Sequence, residues 1–305
     1  MVCSVIALGF FDGVHLGHGA LLRRTAELAA EKGCRALALT FDRSPGKDGR
    51  LLSSVEDRTR LIRGLYGIDE VVVLPFTDEL RHMAWETFLE NLVRDHGALH
   101  LVCGWDYRFG YLGAGDPDKL RAWCALRGLG CDVVDKLVVD GITVSSTILK
   151  DMVEAGDVEA ACRYYGHPHV LTGTVLPGQH LGSRLGFPTA NLEPAPELVL
   201  PRDGVYAVTG TAGGRTYTGV CNVGTRPTVG GGRRTVETWL DDFDGDLYGK
   251  ELRVAFYRYL RQERTFPDLE SLKREILRNR QQARDYFSGM GIPNPQGRPM
   301  TDGSH

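Results

Sequence analysis

Two histidines, His15 and His18, stand three residues apart in the segment GFFDGVHLGH. An apolar run, VIAL, precedes this segment and predicts a buried strand, while the leucines and alanines of Leu21–Lys32 recur at helical spacing. The histidines therefore lie at a strand-to-helix turn, where backbone N–H groups and the helix dipole favour an anion. Gly13 and Gly17 allow backbone turns that a side chain would obstruct. The pattern predicts a phosphate site.

Two other interpretations of the histidine pair are less favoured. Two histidines at this spacing can bind a metal ion, but zinc usually takes a third and a fourth protein ligand. No cysteine or glutamate is spaced to complete such a set nearby. The second alternative is a tight turn that carries surface histidines, which is the usual context of an isolated HxxH pattern.

Two further segments of the first half carry groups suited to nucleotides. In VSSTILK the hydroxyls of Ser145, Ser146 and Thr147 open a helix predicted for residues 148–155, where they add donors for phosphate oxygens. In GWDYRFG, after the apolar run LHLVC, aromatic rings suit a flat ligand and an arginine suits a phosphate. A packed aromatic turn is the alternative for Trp105 and Tyr107. Two anion-binding helix starts on one sheet can straddle a triphosphate.

The second half offers a different set of groups. Thr189 and Asn191 occupy alternate strand-like positions and supply neutral oxygens suited to magnesium together with phosphate and water. Glu237 lies in the middle of the strand-like run TVETWL, where a carboxylate is either a surface residue or a base that faces a hydroxyl. From the residues alone, the surface position is favoured.

The elements that must position these groups differ between the two halves. Up to about residue 165, apolar runs alternate with amphipathic helices, which predicts βαβ units and a parallel sheet. From residue 170, short alternating runs separated by glycine-rich turns predict a small antiparallel barrel, followed by a helix over Ser271–Phe287. His167 and His169 are predicted to lie on the surface of the linker between the two.

Bulk properties bound the class of protein. A chain of 305 residues with 42% hydrophobic and 25% charged residues predicts a globular protein of two domains. A net charge of −3 gives no reason to expect nucleic acid or an anionic membrane as partner, and no apolar run is long enough to span a bilayer. The seven cysteines are scattered without a CxxC pair, which predicts reduced, packed thiols and a cytoplasmic location.

These motifs together resemble one family. GFFDGVHLGH is similar to the signature of the HxGH nucleotidyltransferases, in the form found in bifunctional riboflavin kinase/FMN adenylyltransferases (prokaryotic FAD synthetases). GWDYRFG and VSSTILK resemble further motifs of that family, although Lys150 stands where the family has arginine and FDRSP replaces its FxPHP. GQHLGSRLGFPTAN, GVCNVGTRPT and DDFDGDLYGK resemble motifs of the flavokinase domain.

The resemblance implies an α/β fold: a Rossmann-like parallel-sheet HxGH nucleotidyltransferase domain (1–165), then a small antiparallel β-barrel flavokinase domain with a C-terminal helix (166–290). Residues 291–305 are expected to be a flexible tail. It implies His15, His18 and Glu237 as catalytic residues and Thr189 and Asn191 as metal ligands. It implies flavin contacts from Phe41, Trp105, Tyr107 and Phe187. It implies nucleotide or phosphate contacts from Gly9, Phe10, Asp12, Gly17, Asp106, Arg108, Ser145, Ser146, Thr147, Lys150, Gly178, Gly182 and Gly186.

The implied activity has two steps, with Mg²⁺ as cofactor and ATP and flavins as the small-molecule partners. The barrel domain would phosphorylate riboflavin to FMN, and the first domain would adenylylate FMN to FAD with release of pyrophosphate. One alternative is a specialised relative whose first domain uses another nucleotide, such as CTP, or a flavin analogue. Another is a flavin-binding regulatory protein whose catalysis has decayed.

Overall fold

The computed structural model describes residues 3–46, 49–177, 187–226 and 233–290. The chain divides into two compact units. One comprises Met1–Leu51 and Val55–Ser146, and the other comprises Leu52–Ser54 and Thr147–His305. Residues 147–165, which the resemblance assigns to the first domain, therefore pack with the second unit.

The first unit is built on a five-stranded parallel sheet in the order β3-β2-β1-β4-β5. Its strands are Ser4–Leu8 (β1), Arg35–Phe41 (β2), Glu70–Leu74 (β3), Ala98–Gly104 (β4) and Gly130–Val134 (β5). Its helices are Leu16–Lys32 (α1), Val55–Tyr66 (α2), Asp78–His82 (α3), Trp85–His96 (α4) and Pro117–Leu126 (α5). Short 3₁₀ turns at Asp12–Val14 and Tyr111–Gly113 and a small hairpin, Val138–Val139 (β6) with Ile142–Thr143 (β7), complete it.

Helices cover both faces of this sheet, and β1 is completely buried between them. Ile6 and Leu8 belong to one apolar cluster, whereas Val5 and Ala7 belong to the cluster on the opposite face. A parallel strand covered on both sides is expected to be a continuous apolar run, as VIAL is. The predicted parallel α/β architecture is confirmed.

The second unit contains a closed antiparallel barrel in the order β10-β11-β12-β9-β8-β13. Its strands are His169–Leu176 (β8), Ala190–Leu192 (β9), Gly204–Ala212 (β10), Arg215–Arg226 (β11), Arg233–Leu240 (β12) and Glu251–Arg261 (β13). Its helices are Ser146–Ala155 (α6), which starts at the division between the units, Val158–Tyr165 (α7) and Leu269–Gly289 (α8). The predicted barrel and C-terminal helix are confirmed.

Helix α8 packs on the outer wall of the barrel. Ala283 and Phe287 of α8 form an apolar cluster with Val205, Ala207 and Val220 of β10 and β11. Burying such side chains stabilises the contact by roughly 25 cal/mol for each Å² of apolar surface removed from water. The helix thus forms one side of a cavity on the barrel.

A buried ion-pair cluster fixes the same helix to the end of β12. The carboxylate of Asp241 is 2% exposed and accepts hydrogen bonds from Nε (3.0 Å) and Nη2 (2.6 Å) of Arg280. It also accepts a hydrogen bond from Nε of Arg284. The Arg280 guanidinium lies 5.1 Å from the ring centroid of Trp239. Both arginines extend from α8, so this cluster sets the position of the helix along β12.

His169 is not on the surface, so its assignment to an exposed linker is wrong. It is 1% exposed and is the first residue of β8. Its Nε2 donates to the carbonyl oxygen of Val199 (3.2 Å), and its Nδ1 lies 3.4 Å from the Tyr165 hydroxyl. Burial lowers the pKa of His169 to about 4. Because Pro168 precedes His169, the sequence pattern indicated a linker where the first barrel strand begins.

The prediction of reduced cysteines is wrong for one pair. Cys3, just before β1, forms a disulfide bond with Cys34, which lies between α1 and β2. Cys103, Cys124, Cys131, Cys162 and Cys221 have free thiols. A scattered cysteine pattern does not reveal that residues 31 positions apart meet where two neighbouring parallel strands begin. Among the described residues, no helix is long and apolar enough to cross a membrane.

We expect Asp241→Asn to lower the free energy of unfolding by on the order of 3 kcal/mol, because it leaves two arginines beside a neutral, buried amide. Calorimetric unfolding measures this change. The matched control is Asp242→Asn, whose side chain is 53% exposed next to the same arginines and should cost less than about 1 kcal/mol. Equal losses in the two variants would contradict the cluster's role.

Candidate active sites

The first site lies at the carboxyl edge of the parallel sheet, where open α/β sheets bind ligands. Strand β1 is flanked by β2 and β4. The segment Gly9–His18 follows β1, Phe41 ends β2, and Trp105–Arg108 follow β4. The fold therefore brings these three predicted segments, which are distant in sequence, to one edge.

The turn between β1 and α1 has an unusual backbone. Phe11 (φ 56°), Gly13 (φ 73°) and Val14 (φ 45°) all have left-handed dihedral angles. This region is strained for a β-branched residue such as valine. The side chains of Phe11 and Val14 are completely buried in the apolar cluster beside β1, which holds the turn in place. Strain of this kind is typical of functional turns, where the surrounding fold fixes the geometry.

His15 caps the helix that carries His18. The backbone N–H of His18 donates to Nδ1 of His15 at 3.2 Å, so this nitrogen carries no proton. In the neutral ring the proton then resides on Nε2. Because the cap is formed by His15, α1 begins at Leu16, five residues before its predicted start.

The two imidazole rings stack on each other, with centroids 3.6 Å apart and an interplanar angle of 14°. Burial lowers the pKa of His18 well below its usual value, and the charges of His15 and Arg58 lower it further. The Nδ1 atom of His18 is buried and has no hydrogen-bond partner among the described residues. A neutral ring with one unpaired nitrogen is suited to form a hydrogen bond with a bound ligand.

The His15 ring lies close to the backbone of Gly17. A Cβ atom at Gly17 would lie 3.1 Å from Cε1 and 3.2 Å from Nδ1 of His15. A side chain at this position would therefore require the His15 ring to shift by a few tenths of an ångström. Gly9 has a similar restriction, because a Cβ there would lie 3.0 Å from the ring of Phe11.

The start of α6 contacts the same turn. The Ser146 hydroxyl donates to the carbonyl oxygen of Asp12 (3.2 Å), whose side chain is buried. Ser145 directly precedes the helix. Thr147 and Lys150 follow within α6, beyond the division between the two units.

The segment after β4 separates into exposed and buried residues. Trp105 is 51% exposed, and Asp106 follows it in the same turn. Arg108 forms a 3.6 Å ion pair with Asp116. Tyr107 packs into the apolar core and stacks on Phe109 at 5.4 Å. Its buried hydroxyl has no hydrogen-bond partner among the described residues. Its flavin contact stays a prediction, as does that of Phe41, which packs edge-on against Phe76.

The second site is a cavity of about 350 Å³ between the outer wall of the barrel and α8. Phe187 and Trp239 line it and meet edge to face at 5.9 Å. Leu272 and Ile276 of α8 line the opposite side. The lining is therefore largely apolar, as expected for a site that takes a flat organic ligand.

A row of polar residues crosses the barrel wall of this cavity. Glu237 of β12 pairs in register with Asn191 of β9 on one side and with Asn222 of β11 on the other. Glu237, Asn222 and Thr189 line the cavity directly. The Asn191 side-chain amide donates to the carbonyl oxygen of Thr189 (3.4 Å), which makes its Oδ1 the acceptor atom. Thr189, Asn191 and Glu237 are thus neighbours, and Glu237 is half-buried where it lines the cavity.

Sequence reasoning missed other polar residues of this cavity. Nδ2 of Asn222 donates to Oε1 of Glu263 (2.8 Å), and Nε of Arg261 donates to Oδ1 of Asn279 (3.0 Å). All four line the cavity. Asn222 lies within GVCNVGTRPT, but only the strand register shows that it stands beside Glu237. Gly178, Gly182 and Gly186 lie outside the described residues.

The described residues contain no cluster of three or more His, Cys, Asp or Glu side chains that could hold a metal ion. Thr189 and Asn191 offer neutral oxygens, which belong to neither carboxylates, imidazoles nor thiols. A hydroxyl and an amide oxygen suit Mg²⁺ when phosphate oxygens and water complete its coordination. The donor set therefore fits a magnesium ion that is shared with a nucleotide.

We expect His15→Ala to lower the free energy of unfolding by about 1 kcal/mol, because it removes the cap of α1. His15→Asn is the matched control, since the asparagine side chain can accept the same N–H and should restore most of this loss. Urea denaturation measures both. If the asparagine variant is as unstable as the alanine variant, the capping role is wrong.

Two family models match this chain, one over each site. Residues 2–148 match the FAD synthetase family, and residues 165–287 match the riboflavin kinase family. The chain is 33% identical over 301 residues to the bifunctional riboflavin kinase/FMN adenylyltransferase of Bacillus subtilis (strain 168), covering 94% of this chain and 93% of that protein. It is 37% identical over 279 residues to the protein of the same name from Pseudomonas fluorescens, covering 89% of each.

A solved structure has the same fold. The crystal structure named as a macrolide-efflux protein from Streptococcus pneumoniae superposes with a TM-score of 0.81 at 25% identity, covering 93% of this chain and 94% of that one. The two family matches lie on the two units that carry the histidine pair and the glutamate-lined cavity. The chain belongs to the bifunctional riboflavin kinase/FMN adenylyltransferase family.

Proposed function

We propose that this chain makes FAD from riboflavin in two steps, with ATP as the second substrate of each. Residues 166–290 carry the riboflavin kinase activity, and residues 1–165 carry the FMN adenylyltransferase activity. The observation that carries this proposal is the presence of two sites of different chemistry. One has a capped pair of histidines at a strand-to-helix turn, and the other has a carboxylate in a largely apolar cavity.

In the kinase step the 5′-hydroxyl oxygen of riboflavin forms a bond to the γ-phosphorus of ATP, and the bond from that phosphorus to the bridging oxygen breaks to release ADP. The hydroxyl must lose its proton, and Glu237 is the acceptor in the cavity wall. Phe187 and Trp239 supply apolar surface for the isoalloxazine ring. Binding in the cavity would restrict the orientation of the polyol chain, which lowers the entropic part of the barrier.

Thr189 and Asn191 would hold Mg²⁺ in this site, together with phosphate oxygens. When bound, the ion neutralises charge on the transferred phosphoryl group. The hydrogen bond from the Asn191 amide to Thr189 orients the amide oxygen. Because Asn191 pairs in register with Glu237, the two residues are neighbours on the barrel wall.

In the adenylyltransferase step a phosphate oxygen of FMN forms a bond to the α-phosphorus of ATP, and the bond to the β-phosphate breaks to release pyrophosphate. Nε2 of His15 donates to a phosphate oxygen on which charge increases, and His18 contributes a second imidazole beside it. The backbone N–H groups at the start of α1 add further donors. Asp106, Arg108, Ser145, Ser146, Thr147 and Lys150 complete the proposed nucleotide contacts.

We expect His18→Ala to lower FAD formation from FMN and ATP by roughly 10²–10³, the usual effect of losing one preorganised donor. FMN formation from riboflavin should persist in the same preparation. Chromatography of products from riboflavin, ATP and Mg²⁺ separates FMN from FAD and therefore measures both steps.

We expect the opposite pattern for Glu237→Gln, which keeps the shape of the side chain but removes its basic oxygen. FMN formation should fall by roughly 10²–10⁴, whereas FAD formation should continue when FMN is supplied. If His18→Ala and Glu237→Gln each damage both steps equally, the assignment of the two activities to two sites is wrong.

A further inference from the structure

The largest completely buried side chain of the described residues is an arginine. Arg58, on α2, is 0% exposed. Arginine is almost never fully buried unless it is paired, because removing its charge from water is costly. Burial of this charge beside a proposed active site is unfavourable, so the contacts of Arg58 must explain it.

The contacts of Arg58 connect two strands at the edge that carries the histidines. Its Nη1 donates to the carbonyl oxygen of Phe10 (2.8 Å), and its Nη2 donates to the carbonyl oxygen of Phe41 (2.9 Å). The Thr40 hydroxyl donates to the same Phe10 oxygen (2.7 Å). The guanidinium carbon lies 4.5 Å from the ring centroid of Phe10. One planar group therefore fixes the points where the chain leaves β1 and β2.

The charge of Arg58 is compensated only in part. Its Nε is buried without a hydrogen-bond partner among the described residues. Burial lowers the pKa of Arg58 to about 10, while the carboxylates of Asp12, Glu56 and Asp42 act in the opposite direction. The group thus remains protonated at neutral pH. It places a permanent positive charge beneath the turn.

The charge of Arg58 acts on the His18 ring. The titratable groups that act on the His18 ring are His15, which stacks on it, and Arg58 from α2, while the Tyr66 hydroxyl lies against Gly19, one residue further along α1. Asp12 in the preceding turn acts on Arg58. Burial, His15 and Arg58 all disfavour a second positive charge on the His18 ring. The same field favours an anionic ligand at the turn, because a fixed charge in a poorly solvated position acts more strongly than one in water.

We propose that Arg58 is a positioning residue of the adenylyltransferase site. Its guanidinium fixes the ends of β1 and β2 below the histidines and supplies the buried charge that attracts the polyphosphate of the nucleotide. This inference rests on the proposed function, since it assigns the anion to ATP. A lysine would retain the charge, but its single ammonium lacks the planar fork that joins two carbonyl oxygens.

The test compares Arg58→Met, which removes the charge, with Arg58→Lys, which keeps it. In Arg58→Met the KM for ATP in FAD formation should rise by about tenfold or more, and the acid limb of the pH profile of kcat/KM should move to higher pH. In Arg58→Lys the acid limb should stay near its original position, while kcat falls by about tenfold because the two strand ends are no longer joined. Riboflavin phosphorylation by the same preparations should stay within about twofold.

The matched control is Arg63→Met, which removes an exposed arginine from the same helix and should change none of these values. A pH titration of the histidine ring protons by NMR, without nucleotide, supplies a readout that does not depend on turnover. The His18 pKa should rise in Arg58→Met relative to the unaltered chain and to Arg63→Met.

Three outcomes would overturn the inference. These are an unchanged His18 titration in Arg58→Met, a pH limb that moves equally in Arg58→Lys, and loss of both half-reactions in parallel with loss of stability. Failure of the proposed function has a separate signature: the unaltered chain would form no FAD from FMN and ATP, while the NMR titration would still report the charge of Arg58.

Discussion

The geometry of the first site depends on one local interaction, the hydrogen bond from the backbone N–H of His18 to Nδ1 of His15. It ends the strained turn after β1, starts α1 and fixes the tautomer of the neutral His15 ring. Protonation of His15 would remove the acceptor, so the cap requires the neutral ring. The completely buried Phe11 and Val14 hold the backbone in its left-handed conformation around this bond. The start of α1 and the proposed chemistry therefore depend on the same imidazole ring, the first through Nδ1 and the second through Nε2.

The barrel solves the positioning problem differently, by strand register. Asn191, Glu237 and Asn222 come from three strands and lie in one row because β12 pairs with β9 on one side and with β11 on the other. A shift of one residue in either pairing would turn its residue to the opposite face of the barrel wall. The ion pairs of Asp241 with two arginines of α8 then keep the opposite wall of the cavity in place. In the barrel, therefore, pairing between strands distant in sequence determines the site geometry, whereas in the first unit a local helix cap does so.

The sequence was sufficient to predict the parallel sheet, the barrel and the position of the histidine pair, because each depends on local periodicity or on a contiguous motif. It was not sufficient for contacts between distant segments. Arg58 is an ordinary helix residue in sequence, and only the fold shows that it joins the ends of β1 and β2. The same is true of Asn222 beside Glu237 and of the disulfide bond between Cys3 and Cys34. Strand β9 has only three residues, too few for a periodic pattern.

The two sites differ in charge because their nucleophiles differ. The 5′-hydroxyl of riboflavin is neutral and must lose a proton, which is the role that the proposed function gives to the carboxylate of Glu237 in the second unit. The phosphate of FMN is already ionised and needs no proton acceptor. What it needs is relief from repulsion by the ATP phosphates, which hydrogen-bond donors and buried positive charge provide. In the proposed function the imidazoles of His15 and His18, beside the buried Arg58, would meet that requirement, whereas a carboxylate in their place would repel both substrates.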